Sequence, residues 1–216
     1  PYDASSLDQK QKNKEELIAE LGLEIDRQTP LIGMVTRLTR QKGIDLVIRV
    51  LDEFLHAGAG FALVGTGDRD YENFFRGIGH RSGNRARGFT RFDDRLAHRI
   101  YAGSDFFLMP SMFEPCGLAQ MIALRYGSLP IVRSTGGLQD TVWPYNEYTG
   151  EGNGFSFDHF NAHDMLHTVR YALSIYRQKD RLNAIRKRAM EQDWSFRKSA
   201  LAYARLYVEL AANGNR

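Results

Sequence analysis

Residues 109–127 read M-P-S-M-F-E-P-C-G-L-A-Q-M-I-A-L-R-Y-G and bring together residue types able to handle an anion. Glu114 stands directly before Pro115, and Gly117 directly before an apolar helical pattern. Proline suits the first helical position, where its missing N–H removes nothing, and it biases the residue before it toward extended backbone. The pattern predicts Glu114 at a strand-to-helix corner beside the unpaired N–H groups of Cys116, Gly117 and Leu118. Such a helix start attracts anions and hydroxyl oxygens. A carboxylate there can accept hydrogen bonds from a sugar while the amides hold a phosphate, as in a nucleotide-sugar site. The plainer alternative is a helix-start acid that only meets the dipole.

A second pair of charges lies upstream. Arg37 follows the apolar run 31–36, and Lys42 comes five residues later, just before Gly43 and a helical pattern. Two cations above a strand end can grip a diphosphate, the arginine as a fork and the lysine as a point charge. Alone, such a pair is more often surface charge. Gly65-Thr66-Gly67 also follows a strand, but a dinucleotide fingerprint needs a third glycine where Asp70 stands, so a nicotinamide oxidoreductase is disfavoured. No Walker lysine motif is present. Phe89, after Gly88, reads as core or as a face for a base. Cys116 lacks a histidine paired with it in sequence and reads as a small residue packed at a helix start. His163 and His167 are spaced i, i+4 without a third ligand nearby, so no metal is expected.

The elements that must position these residues alternate along the chain. Strands are predicted at 31–36, 61–64, 85–89, 105–109, 130–132 and 154–157. Helices are predicted at 44–55, from the turn 65–68 to 79, at 94–102, at 117–126, after the turn 134–138, and over most of the rest. Tyr203, Leu206, Tyr207 and Leu210 form an apolar stripe near the end. Apolar, non-alternating strands joined by helices predict an α/β fold, a Rossmann-like parallel sheet covered on both faces. In such sheets ligands bind beyond the carboxyl ends of the strands. Residues 143–153 read as a polar loop, and residues 1–16 as a solvated, polar lead-in to a helix at about 13–21.

With 216 residues, 43% hydrophobic and 25% charged, the chain fits one large domain. Its one cysteine excludes an internal disulfide and agrees with a reducing compartment. No apolar run reaches a membrane span, and no signal-peptide pattern opens the chain. The start at Pro1 without methionine predicts a fragment. Net charge is +3, yet seven arginines (76, 81, 85, 87, 91, 95 and 99) face Asp93 and Asp94, and a second basic cluster spans 177–198. Solvated faces are the plain reading; attraction of phosphates or a polyanion is the sharper one. Sparse aromatics argue against nucleic acid.

Arg37-Leu38-Thr39-Arg40-Gln41-Lys42-Gly43, then Glu114-Pro115-Cys116-Gly117-Leu118, then Thr135-Gly136-Gly137-Leu138 with Asp140-Thr141-Val142, resemble the carboxyl-terminal half of bacterial glycogen synthases and plant starch synthases. Asp193-Trp194-Ser195 is similar to that family too, and the match runs over essentially the whole chain. The resemblance implies one half of a GT-B glycosyltransferase, cytoplasmic in a bacterium or plastidic in a plant, that moves glucose from ADP-glucose to the non-reducing end of an α-1,4-glucan with retention. It implies that Arg37 and Lys42 hold the diphosphate and that Glu114 binds donor hydroxyls. The amides of Cys116, Gly117, Leu118 and Ala119 would contact sugar or phosphate, and Phe89, after Gly88, would stack on adenine. Thr135, Gly136 and Gly137 form a glycine-rich loop with a possible part in the site.

The sequence departs from the pattern at three places. Ile122 stands where related transferases often carry a second, ribose-binding glutamate, an acid that the synthase branch commonly lacks. Ala119 replaces a frequent threonine, and Phe89 a frequent tyrosine. Ser134 precedes this chain's T-G-G-L copy, whereas the family's amino-terminal domain has a lysine before its own copy and a histidine near the donor sugar; neither is present here. The glucan acceptor would be held mainly by that other domain. A UDP-glucose-dependent GT-B transferase of the sucrose-synthase type, and a non-catalytic nucleotide-sugar or polysaccharide-binding module, stay open as alternatives.

Overall fold

The computed structural model describes residues 2–213. Six strands, β1 (Leu31–Val35), β2 (Gly60–Val64), β3 (Ala86–Phe89), β4 (Phe106–Met109), β5 (Leu129–Arg133) and β6 (Phe155–Phe157), form one sheet in the order β3-β2-β1-β4-β5-β6. Every neighbouring pair runs parallel. The predicted strands are all present, each within a residue or two of its expected bounds. Their unbroken apolar character follows from burial on both faces. Ile32 and Met34 of β1, Phe106 and Leu108 of β4 and Ile131 of β5 join one core. Leu31 of β1 and Phe107 and Met109 of β4 point into cores on the other face.

Helices α2 (Ile44–His56), α8 (Ala162–Tyr176) and α9 (Lys179–Met190) cover the first face, and Phe75 of α3 (Arg69–Arg76) and Ile78 of α4 (Ile78–Arg81) extend that core. Helices α1 (Lys10–Leu21), α5 (Asp94–Gly103), α6 (Ala119–Arg125) and α7 (Gly137–Thr141) cover the second. The carboxyl-terminal α10 (Phe196–Asn213) stands apart, and the expected stripe is solvent-facing: Tyr203 is 60% and Tyr207 65% exposed. No helix among the described residues is long and apolar enough to cross a membrane.

Two expectations need correction. Residues 1–16 are not simply a solvated lead-in, for α1 begins at Lys10, and Lys10 and Lys14 are buried. Lys14 reaches Asp105 at 2.6 Å and Lys10 donates to the carbonyls of Ala102 and Tyr126, while the Tyr2 hydroxyl donates to Tyr126. Charge was buried because partners came from distant segments. The helix expected at 117–126 begins at Ala119, and Pro115 belongs to the loop before it. Gly117 has φ +76°, a left-handed turn that keeps the helix from starting earlier. The Gly65-Thr66-Gly67 pair has a packing reason: a Cβ on Gly65 or Gly67 would run into the carbonyl oxygens of Thr36 or Leu38. Leu38 N donates to Thr66 O at 2.8 Å, so the loop after β2 continues the pairing of β1 with β2.

Candidate donor site at the strand-order reversal

The strand order reverses between β1 and β4, which opens a crevice beyond their carboxyl ends. The loop after β1 carries Arg37 and Lys42, and the loop after β4 carries Glu114. They meet there. Lys42 Nζ lies 2.5 Å from Glu114 Oε2, across 72 residues of sequence, with the Ser111 hydroxyl donating to the same oxygen at 3.2 Å. Both side chains are largely shielded, 15% and 11% exposed. Two further contacts hold the loops together. Met112 N donates to Gln41 O at 2.8 Å, and Gly43, at φ +72°, lies where any Cβ would strike Pro110 O.

The glycine-rich loop completes this corner. Gly137 N donates to Glu114 O at 3.0 Å, and Cβ atoms on Gly136 and Gly137 would collide with the carbonyls of Glu114 and Cys116. Thr135 starts the turn, accepting from Leu138 N at 3.1 Å. Gly137→Ala is therefore expected to destabilise the fold by about 1–3 kcal/mol through overpacking, read as a lower urea midpoint with an unchanged slope.

Gln120, fully buried, was not foreseen: its Nε2 donates to Cys116 O at 3.2 Å, Gly117 O at 2.9 Å and Thr141 Oγ1 at 3.1 Å. With the two carbonyls turned toward Gln120, the N–H groups of Cys116, Gly117, Leu118 and Ala119 donate to no protein acceptor among the described residues. Arg133, at the end of β5, was missed as well. It donates to the carbonyls of Ser111, Met112 and Asp158 and so pins the loop that carries Glu114. A cation at a strand end was the available signal, the same one that singled out Arg37.

Arg37 is exposed and lines a cavity of about 330 Å³ with Thr36, Arg91, Asp94, His98 and Ile122. Among the described residues it has no carboxylate within ion-pair distance, which leaves its fork available. Ile122, where a ribose-binding acid was considered, faces this same cavity. Gly88 and Phe89 do not line it; they border a separate cavity of about 210 Å³ near α1. The Phe89 ring packs half-buried beside Leu21, and the Arg91 guanidinium lies 5.4 Å from its centroid. Cys116 is exposed on the Glu114 loop, where its thiol donates to the neighbouring Gly117 carbonyl.

The family model for glycosyl transferases group 1 matches residues 13–191. The chain belongs to this family. Glycogen synthase of Bacillus cereus is 54% identical over 209 residues and that of Clostridium botulinum 51% over 210, in each case 97% of this chain and 44% of the relative. The chain thus spans less than half the length of these curated relatives. Among solved structures, the catalytic domain of starch synthase IV from Arabidopsis thaliana, bound to ADP and acarbose, superposes with a TM-score of 0.87 at 36% identity, covering 96% of this chain and 44% of that one. The chain is accordingly glycosyltransferase sequence of the glycogen and starch synthase type, with the expected α/β, Rossmann-like half of a GT-B architecture.

Proposed function

We propose that this chain is the donor-binding half of a glycogen or starch synthase that transfers glucose from ADP-glucose to the non-reducing end of an α-1,4-glucan with retention. The meeting of Lys42 with Glu114 at the strand-order reversal carries this reading, because it sets a phosphate-binding cation beside a sugar-binding acid. In the donor complex the Lys42 ammonium is shared between Glu114 and the diphosphate, and the Arg37 fork takes the remaining phosphate oxygens. Both stabilise the charge that grows on departing ADP, a kind of help worth ~3–4 kcal/mol per donor in comparable sites. Glu114 accepts from glucose hydroxyls, and the open amides of Cys116 to Ala119 meet sugar or distal phosphate. Adenine takes the face of Phe89 that Arg91 now covers. No metal or other cofactor is assigned a part.

Calorimetry with ADP and with UDP tests the donor assignment. ADP binding that UDP fails to displace is expected, and preference for UDP would favour the sucrose-synthase type of chemistry. The acceptor and the remaining catalytic groups belong, on this reading, to the half of the relatives that this chain does not span. The 216-residue chain should therefore bind ADP yet elongate glycogen little or not at all. Elongation near that of a full-length synthase would refute this division of labour.

A further inference from the structure

At the opposite end of the sheet, below the amino ends of β1 and β4, lies a cavity of about 270 Å³ that the donor site does not use. Its charged lining is Lys10, Lys14, Lys179 and Arg186, with Asp8 and Asp105 as carboxylates. Lys10 and Lys14 are one turn apart on α1. Lys179, Asn183 and Arg186 follow the i, i+4, i+7 spacing of one face of α9. Two helices thus present cations to one space.

The buried charges do not balance. Lys10, Lys14 and the Arg186 side chain are 3%, 1% and 11% exposed, and Asp105 is the only buried carboxylate among the cavity's lining residues, Asp8 being exposed. Asp105 already serves both Lys14 and Arg186, each at 2.6 Å, and also accepts from Leu31 N at 2.9 Å. Lys10 donates to the carbonyls of Tyr101, Ala102 and Tyr126 and has no carboxylate partner among the described residues. Arg186 Nε is buried and has no partner among the described residues. Burial and then the charge of Arg186 hold Lys10 well below the ordinary lysine value of 10.5, and Lys179 is lowered too, chiefly by burial. Uncompensated buried cations are costly unless an anion joins them.

We propose that this cavity binds a small phosphate-class dianion, free phosphate or a phosphate monoester, held by Arg186, Lys14 and Lys179. A tetrahedral dianion offers enough oxygens for an arginine fork and two ammonium groups, and it adds negative charge where Lys14 and Arg186 share the single carboxylate of Asp105. The volume lies just below the ~300–1,000 Å³ of small-molecule sites and so disfavours a whole nucleotide.

The test is calorimetric titration of the chain with inorganic phosphate, against chloride at equal ionic strength, repeated in an Arg37→Ala/Lys42→Ala background that removes the donor-site cations. Saturable binding that survives that background is expected. Asn183→Asp and Lys179→Ala alter exposed side chains, so folding is not at risk. Asn183→Asp should weaken uptake by about tenfold and Lys179→Ala by about threefold. Glycerol phosphate binding as tightly as phosphate marks a monoester site, whereas its exclusion with phosphate retained marks a free-phosphate site. Absence of saturable uptake, or an affinity that follows Arg37 and Lys42 and ignores both α9 variants, overturns the proposal and leaves the donor assignment untouched.

Discussion

Lys42→Ala is expected to raise the Kd for ADP by about 10–100-fold, the loss of one charge-assisted contact of ~1.5–3 kcal/mol. The effect should exceed that of Arg37→Ala, for a reason visible in the geometry of the site. Glu114 Oε2 sits 2.5 Å from the ammonium, and among the described residues only the Ser111 hydroxyl also donates to it. Alanine would leave that shielded carboxylate uncompensated and facing the phosphates of the ligand. In a full-length synthase the same change should lower the rate by ~10²–10³. Calorimetry on the chain checks the first part, and Lys42→Ala/Glu114→Gln supplies the control. The neutral amide removes the repulsion and should recover part of the lost affinity. Parent-like ADP affinity in Lys42→Ala would mean that the ammonium never reaches the diphosphate, and the donor-site reading would fall with it.

Asp105→Ala should cost about 3–5 kcal/mol of stability, a large share of the ~5–15 kcal/mol available to a typical domain. It strands Lys14 and Arg186 as buried cations and takes the acceptor from Leu31 N at the start of β1. Urea unfolding measures the loss. The same carboxylate predicts an acid limb. Burial alone would raise its pKa, but the charges of Lys14 and Arg186, with hydrogen bonds from Lys14 and Leu31, hold it below the ordinary 3.8. A carboxyl group depressed on folding contributes stability that is complete above its unfolded value and is lost as pH falls toward the folded one. The parent should therefore lose stability below about pH 4, by the amount this group contributes. Asp105→Asn should flatten that part of the profile; an unchanged acid limb would show that other carboxylates dominate it.

Much of this was legible in the sequence because the controlling signals were local. Apolar strands such as Phe106 to Met109 announce a sheet covered on both faces, and the spacing of Ile44, Val47, Leu51, Phe54 and Leu55 announces a helix. Strand ends then place Arg37, Lys42 and Glu114 at one rim. Their contact was not readable from spacing, since it depends on the order reversal that brings β1 beside β4. The lead-in was misjudged because lysines count as solvated until a partner is known, and the partner of Lys14 stands 91 residues away. Gln120 escaped because an amide inside the pattern A-Q-M-I-A-L has no periodic signature; only its three acceptors reveal its task. The start of α6 was set too early because Pro115 and Gly117 shape a loop rather than a first turn.

The fit of Gly43 beneath Pro110, and of Gly136 and Gly137 against Glu114 and Cys116, makes three distant stretches of chain behave as one heritable block. Recombination between family members with a crossover between any two of these stretches would pair backbones that were shaped for different neighbours. Exchanges of donor preference should therefore transplant residues 36–43, 110–118 and 134–137 together, with the breakpoints placed elsewhere.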